Sequence, residues 1–427
     1  MSASLIDLAV DTHDYIEEGR LENENKNRKT FLSHSNLFHR IVKKSKKLFD
    51  TAIDDDNQEL TEQEQEVVNF HRIAKIYSKP ENIMSVQETP FSNRYVVVLV
   101  ILSFSILGNM ARISFQKLIT YQNAYVYYHN GTIIWINFTS CLILGWANNC
   151  NSFWECLTKG SKVNTKYNQI ALHSGITAGF CGCFSTLSAL MIELFFKTTN
   201  NTTRQVPNHG YGVMEFFAIV LGQFGLCFLG LELGSDFGFF FDSKITPLLK
   251  PYLDIKVLRF IEWFFVICGI LAYIANLILT CVLPLENWYK NQYSLSILFG
   301  GVAAYLRFRL SSLNGKIFAA WFPTGTLLAN IGGCTILAVI QVLTHGYKYK
   351  GGQEVIVSTP LHLFIINAFS MGFGGSLSTI AAMCNEIKNL NYPRYRYSYF
   401  FATFLTCWCI VILIDGSYSW SVGFSPI

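Results

Sequence analysis

Nine runs of predominantly apolar residues follow one another after residue 93, each near the roughly 20 residues that a helix needs to cross a bilayer. They occupy 95–118, 132–150, 170–196, 212–241, 258–284, 294–312, 322–344, 360–387 and 397–415. Hydrocarbon supplies no water to hydrogen-bond a free backbone, so each run reads as a helix. The expected fold class is therefore an all-α membrane protein of nine spans.

Composition supports this and removes other classes. Charged residues make up 15% of the chain, against roughly 25% in an average soluble protein. Much of the charge sits in residues 1–93, including the acidic run Asp54, Asp55 and Asp56. That region reads as a flexible cytosolic tail with an amphipathic stretch at 58–78. It lacks a cleavable signal pattern. The net charge is only +4 and no Lys/Arg block is present, which argues against nucleic acid as a partner. Of twelve cysteines, ten lie in apolar runs and none forms a CxxC pair, so neither a zinc site nor a disulfide framework is expected.

Basic residues set the orientation. Alternate loops carry thirteen Lys and Arg, at positions 159–166, 244–259, 307–316 and 388–396; the other loops carry five: Lys197, Arg204, Lys290, Lys348 and Lys350. The first set is expected on the cytoplasmic side. The N-terminus then lies inside and the C-terminus outside. The sequons at Asn130 and Asn200 fall on the outer side.

The chain repeats itself. Residues 179–193 and 372–386 share seven of fifteen identities at an offset of 193 residues. Asn137 and Asn330 keep that offset, Gly131-Thr132 and Gly325-Thr326 keep it with one slip, and Arg112 and Arg307 nearly keep it. Four spans, one lone span and four more spans follow. An odd linker reverses the second copy, so the expectation is two inverted four-helix repeats joined by a linker transmembrane helix. Folds of this kind place ion sites at midplane, where broken helices meet.

Gly179, Gly182, Gly372 and Gly375 fall in mid-span. They lower the cost of leaving helical geometry. Unwound carbonyls there can hold a small cation; close helix packing through small residues is the other reading. Asn137 and Asn330 offer amide donors to a dehydrating anion or bond a neighbouring helix. Arg112 and Arg307 either steer anions or snorkel to the interface as anchors. Tyr395, Tyr399 and Thr403 share one helix face. Glu193 and Glu386 read as structural or interfacial.

These motifs resemble the Fluc and FEX fluoride channels. The Arg of the first helix, the Gly-Thr and Asn of the second, and the Gly-Phe-x-Gly-x-x-Ser-Thr of the third carry the resemblance in both halves. Bacterial members are antiparallel dimers; eukaryotic members fuse two units through an extra helix, and this chain has the fused arrangement over 95–416. The resemblance implies a passive fluoride channel of the plasma membrane, functional as a single-chain pseudo-dimer, with fluoride and the lipid bilayer as partners.

The expected ion pathway runs along Asn137, Asn330, Thr186, Thr379, Ser188, Tyr399, Thr403 and Thr326 with Arg112 and Arg307; the resemblance carries the two Asn, while Tyr399 and Thr403 enter as a hydroxyl track on one face of the ninth helix, a face that belt tyrosines also occupy. The resemblance also implies a structural sodium ion on the backbone carbonyls of Gly182, Ser185, Gly375 and Ser378. One departure stands out. The family's two pore Phe residues per repeat are replaced by Leu187 and Leu190, and by Ile380 and Met383. Aliphatic side chains lack the electropositive ring edge, so the aromatic part of the pathway is not carried over. Ser188 aligns with Ala381, and the hydroxyl stripe of the ninth helix has no match in the fourth; one conducting and one degenerate pore are expected.

The expected domains are a tail (1–93), a first repeat (94–241), a linker (242–290), a second repeat (291–416) and an extracellular tail (417–427). A coupled secondary transporter shares the inverted repeat and remains the alternative. No Walker or HExxH motif points to an enzyme.

Overall fold

The helices form where the apolar runs predict them. The computed structural model describes residues 94–120, 133–159, 170–199 and 208–425. The nine principal helices are α1 (Arg94–Ile119), α2 (Ile134–Asn149), α3 (Ala171–Thr198), α4 (Gly210–Leu249), α5 (Ile255–Val282), α6 (Leu295–Ser311), α7 (Thr324–His345), α8 (Pro360–Asn389) and α9 (Pro393–Ser421). Seven of them are long and apolar enough to cross a membrane by length and composition; α2, with 16 residues, and α6, with 17, are shorter. A π turn, Lys290–Ser294, runs directly into α6. Among the described residues the only β pairing is two isolated bridges, Gly346 to Phe424 and Tyr347 to Val355.

The expected ends hold to within a few residues, except that α4 continues to Leu249 and α9 to Ser421. Both extensions pass through π turns, Phe241–Ile245 and Ile412–Gly416. The stretch at 58–78, both sequons, and Lys162, Lys166 and Arg204 lie outside the described residues. Apolar side chains of α5 such as Phe260, Trp263, Leu271 and Ile274 are exposed, which suits a face turned to lipid.

The first helices of the two halves run in opposite directions. Gly300 of α6 packs against Asn109 of α1, while Tyr293, just before α6, meets Ser114 at 3.0 Å. A rising number on one helix meets a falling number on the other, so α1 and α6 are antiparallel, as an inverted repeat requires.

Within each half the second and fourth helices run side by side in fixed register. In the second half, Thr326 and Tyr399 both bond Glu386, Cys334 meets Cys407, and Gly346 abuts Tyr418. In the first half, Cys141 meets Cys227, Gly145 abuts Leu231, and Asn149 bonds Ser235. Gly145, Gly230 and Gly234 bring the α2 and α4 backbones together, since a Cβ at any of them would collide with a carbonyl of the facing helix. The two seams, α2/α4 and α7/α9, are the frame for the site.

Candidate functional site: the crossing of the broken helices

Both α3 and α8 break at the predicted place, and they break in the same way. Each passes through a π turn, Gly175–Cys181 or Ser370–Gly374, and one further short turn. The chain then becomes extended at Ser185 (φ −80°, ψ 157°) and at Ser378 (φ −82°, ψ 147°). Helix resumes at Ser188 and Ile380. Such π turns inside helices often mark functional sites.

The second-helix Asn residues explain why the breaks are stable. In an unbroken helix the Thr186 amide would donate to Gly182 and the Thr379 amide to Gly375. Instead Thr186 N–H donates to Asn137 Oδ1 at 3.0 Å, and Thr379 N–H donates to Asn330 Oδ1 at 2.7 Å. One turn on, Ala189 N–H donates to Thr186 Oγ1 and Ala382 N–H to Thr379 Oγ1, each at 3.4 Å. The carbonyls of Gly182, Ser185, Gly375 and Ser378 thereby lose the amides that a continuous helix would have given them. These are the four carbonyls expected to hold sodium.

The two breaks meet. Ser185 and Thr379 share a hydroxyl contact of 2.9 Å, and their repeat mates Ser378 and Thr186 share one of 3.2 Å. Ser378 Oγ also lies 2.6 Å from Ser188 Oγ and accepts from Ser188 N–H at 3.0 Å. The amide bond has its counterpart, since Ala381 N–H donates to Ser185 Oγ at 3.4 Å; the hydroxyl contact has none, because the mate of Ser188 is Ala381.

Two guanidinium groups close the crossing. Arg112 donates to the Cys183 carbonyl at 2.8 Å, to the Met371 carbonyl, and to Asn109 Oδ1 at 2.7 Å. Arg307 donates to the carbonyls of Ser376, Ala178 and Gly182. Residues 183 and 376, and 178 and 371, are repeat mates, so each Arg bonds its own broken helix and that of the opposite half. At 2% and 7% exposure, neither side chain reaches out as an interfacial anchor. A Cβ on Gly182 would overlap the Arg307 guanidinium, and one on Gly375 would come within 2.9 Å of Arg112; the glycines make room for the charges.

Other expected residues gather on the α7/α9 seam. Thr326 Oγ1 donates to Glu386 Oε1 at 2.6 Å, Tyr399 OH to Glu386 Oε2 at 2.7 Å, and Asn314 Nδ2 to Oε1 at 3.1 Å. Glu386 and Asn314 are the members that sequence reasoning did not place here; the recurrence of Glu193 and Glu386 in the repeat was the available signal. Along the seam the register sets Asn330 opposite Thr403. Both are 0% exposed. The Asn330 Nδ2 atom has no hydrogen-bond partner, whereas Asn137 Nδ2 donates to the Thr186 carbonyl at 3.3 Å.

On the α2/α4 seam the rung equivalent to Asn330–Thr403 is Asn137–Gln223, and Ile219 stands in the place of Tyr399; Thr132, the motif mate of Thr326, lies outside the described residues. Leu187, Leu190, Ile380 and Met383 are all fully buried in the apolar core shared by both halves. Among the described residues no group of three or more His, Cys, Asp or Glu could hold a metal ion.

Comparisons with known proteins agree with the repeat. The family described as "CrcB-like protein, Camphor Resistance (CrcB)" matches residues 99–234 and again residues 294–416. A Fluoride export protein 1 of Candida albicans is 32% identical over 333 residues, 77% of this chain and 81% of that protein. A Fluoride export protein 1 of Saccharomyces cerevisiae is 28% identical over 362 residues, covering 75% and 92%. A bacterial protein, Fluoride-specific ion channel FluC of Shewanella piezotolerans, is 34% identical over 87 residues, 20% of this chain and 60% of that one. No solved structure matches the chain.

Proposed function

The chain belongs to the CrcB-like family of fluoride channels, and on that premise we propose that it is a passive, fluoride-selective channel that carries the ion out of the cytosol. The family is one of membrane channels and transporters rather than of enzymes. The observation that carries the reading is the Asn330 amide. It is fully buried, its Oδ1 is fixed by Thr379, and its two N–H donors point to no protein acceptor. A buried amide with idle donors is costly unless something accepts from them. Fluoride is a compact anion with no donor of its own, and it suits that position.

The conducting route in this proposal is the α7/α9 seam. It begins at Thr326, Tyr399 and Glu386, continues past Asn330 and Thr403, and adjoins Thr379, Thr186 and Ser188 at the crossing. The α2/α4 seam is the degenerate one, because Ile219 stands where the other has Tyr399 and Asn137 uses its own N–H on Thr186. Hydroxyl and amide donors replace the ring edges missing at Leu187, Leu190, Ile380 and Met383. Arg112 and Arg307 hold the crossing together and contribute positive potential to it.

A sodium ion at the crossing is part of the proposal. The four carbonyls released from helical bonding supply the oxygen ligands that such an ion prefers. Arg307 already takes the Gly182 oxygen, which leaves Ser185, Gly375 and Ser378 as the principal ligands. The arrangement proposed is nine crossings of the plasma membrane, with α2 and α6 as the short ones, the N-terminus cytoplasmic and the C-terminus outside. Residues 94–241 and 291–416 form the repeats, and one chain suffices.

The membrane potential drives export, at about 2.3 kcal/mol per charge per 100 mV. The test is fluoride efflux from liposomes holding the purified chain, with potential clamped and no proton gradient. Efflux under potential alone supports a channel. Efflux only when a proton gradient is imposed supports the coupled transporter instead. Deletion of the gene in its host should sensitise growth to fluoride.

A further inference from the structure

Asp415 is an acid with nothing to hold it. It is 0% exposed, and neither carboxylate oxygen has a hydrogen-bond partner. It lies in the π turn near the end of α9, following Tyr399, Thr403, Cys407 and Val411 at intervals of four. All five are buried and occupy the face that packs on α7. The seam register sets Asp415 level with Val342, an apolar residue that offers its carboxylate no side-chain donor.

The opposite seam shows what is missing. The rung equivalent to Val342–Asp415 is Asn149–Ser235. There Ser235 Oγ accepts from Asn149 Nδ2 at 3.0 Å and from Lys388 Nζ at 3.0 Å, and the same ammonium pairs with Glu232 at 3.0 Å. Lys388 comes from α8 of the other half. Its repeat mate, 193 residues earlier, is Phe195, which is fully buried. The polar rung of the first seam has a cation, whereas the residue in the place of Lys388 in the repeat carries no charge.

An ionised, unpaired carboxylate at membrane depth is among the costliest arrangements a protein can hold. One proton removes the problem, because a carboxylic acid is a donor as well as an acceptor. A metal ion fits less well, with a single carboxylate available. We infer that Asp415 is held as a neutral carboxylic acid whose O–H donates a hydrogen bond to fluoride at the far end of the α7/α9 seam. The inference rests on the fluoride reading for the identity of the anion, and on geometry alone for the protonated state. It extends the row of donors from the Tyr399 end of the seam to the end that the orientation above sets outside the cell.

Two measurements on the full chain in lipid separate these parts. The infrared difference spectrum of wild type minus Asp415→Asn should contain a protonated-carboxyl C=O band; a carboxylate band in its place overturns the neutral acid. In liposome efflux, Asp415→Leu, which has no donor, should fall by at least about tenfold, the loss expected when a charged partner loses one hydrogen bond. Asp415→Asn, which keeps a neutral donor, should recover most of that loss. Unchanged flux in Asp415→Leu, or equal losses in the two, overturns the donor role. Should Asp415→Leu fail to assemble in gel filtration, Asp415→Ser against Asp415→Ala repeats the comparison with smaller side chains. Absence of efflux in wild type defeats the channel reading and the donor role with it, and leaves the infrared result to stand or fall separately.

Discussion

Ser185 touches Thr379 at 2.9 Å, and the residues 193 positions away from each repeat the contact with partners exchanged, Ser378 to Thr186 at 3.2 Å. Residue i meets j and the mate of j meets the mate of i, which is the signature of a two-fold interface. Here both sides of the interface belong to one chain. The crossing has the symmetry of a dimer with the covalent continuity of a monomer, and that continuity lets its two seams diverge.

Divergence predicts unequal roles for the paired amides. Asn137→Ala and Asn330→Ala each release one Thr amide, so both should destabilise by about 1–3 kcal/mol. Only Asn330→Ala also removes the idle donors, and its efflux should fall at least about tenfold further, the effect of losing a hydrogen bond to a charged group. Fluoride efflux normalised to folded protein is the measurement. Equal partial losses count against a single conducting seam.

Tyr399 tests the entrance of that seam. Its hydroxyl donates to Glu386 beside Thr326. Tyr399→Phe keeps the ring and removes the donor, so efflux normalised to folded protein should drop by about tenfold, with a loss of about 1–3 kcal/mol in stability because Glu386 loses a hydrogen bond. Substituting Ile219, at the matching rung of the other seam, with Val should leave efflux alone. A Tyr399→Phe channel as fast as wild type would exclude this rung from the route.

The glycines at the break are not interchangeable with other glycines in membrane helices. Gly182→Ala forces a methyl into the Arg307 guanidinium. Carbonyls held by that group then lose donors, at about 1–3 kcal/mol each. Gly222 has open space around it, so Gly222→Ala should be neutral or mildly stabilising through helix propensity. Melting temperature in detergent should fall sharply for the first and hold or rise for the second.

Arg307→Lys examines the same joint from the other side. A lysine keeps the charge but cannot present a planar fork to the carbonyls of Ser376, Ala178 and Gly182. The expected outcome is a folded but destabilised chain with reduced efflux. Wild-type stability in Arg307→Lys would mean that charge alone matters here.

Sodium removal addresses the freed carbonyls. If an ion bridges Ser185, Gly375 and Ser378, replacing sodium with a bulky organic cation should lower the melting temperature in proportion to the logarithm of sodium concentration, as binding to the folded state requires. A melting temperature indifferent to sodium removes the ion from the proposal.

The apolar runs and the 193-residue offset were enough to read the helices, their recurrence in two sets and the place of both breaks. These features are local or periodic, and hydrocarbon enforces them, since a helix is the simplest way for a crossing chain to satisfy its own backbone. The roles of Arg112 and Arg307 were not readable in this way. A lone Arg in an apolar run is compatible with steering, snorkelling or capping, and only its distance to carbonyls in the other half decides. The same holds for Glu386, whose partners Thr326, Asn314 and Tyr399 come from three separate stretches of chain, and for Asp415, whose burial without a hydrogen-bond partner no local pattern announces. Sequence alone determined which residues come in pairs. Tertiary structure decided which pairs remained equal, because a side chain's partners across the crossing lie hundreds of residues away and are set by packing rather than by any local pattern.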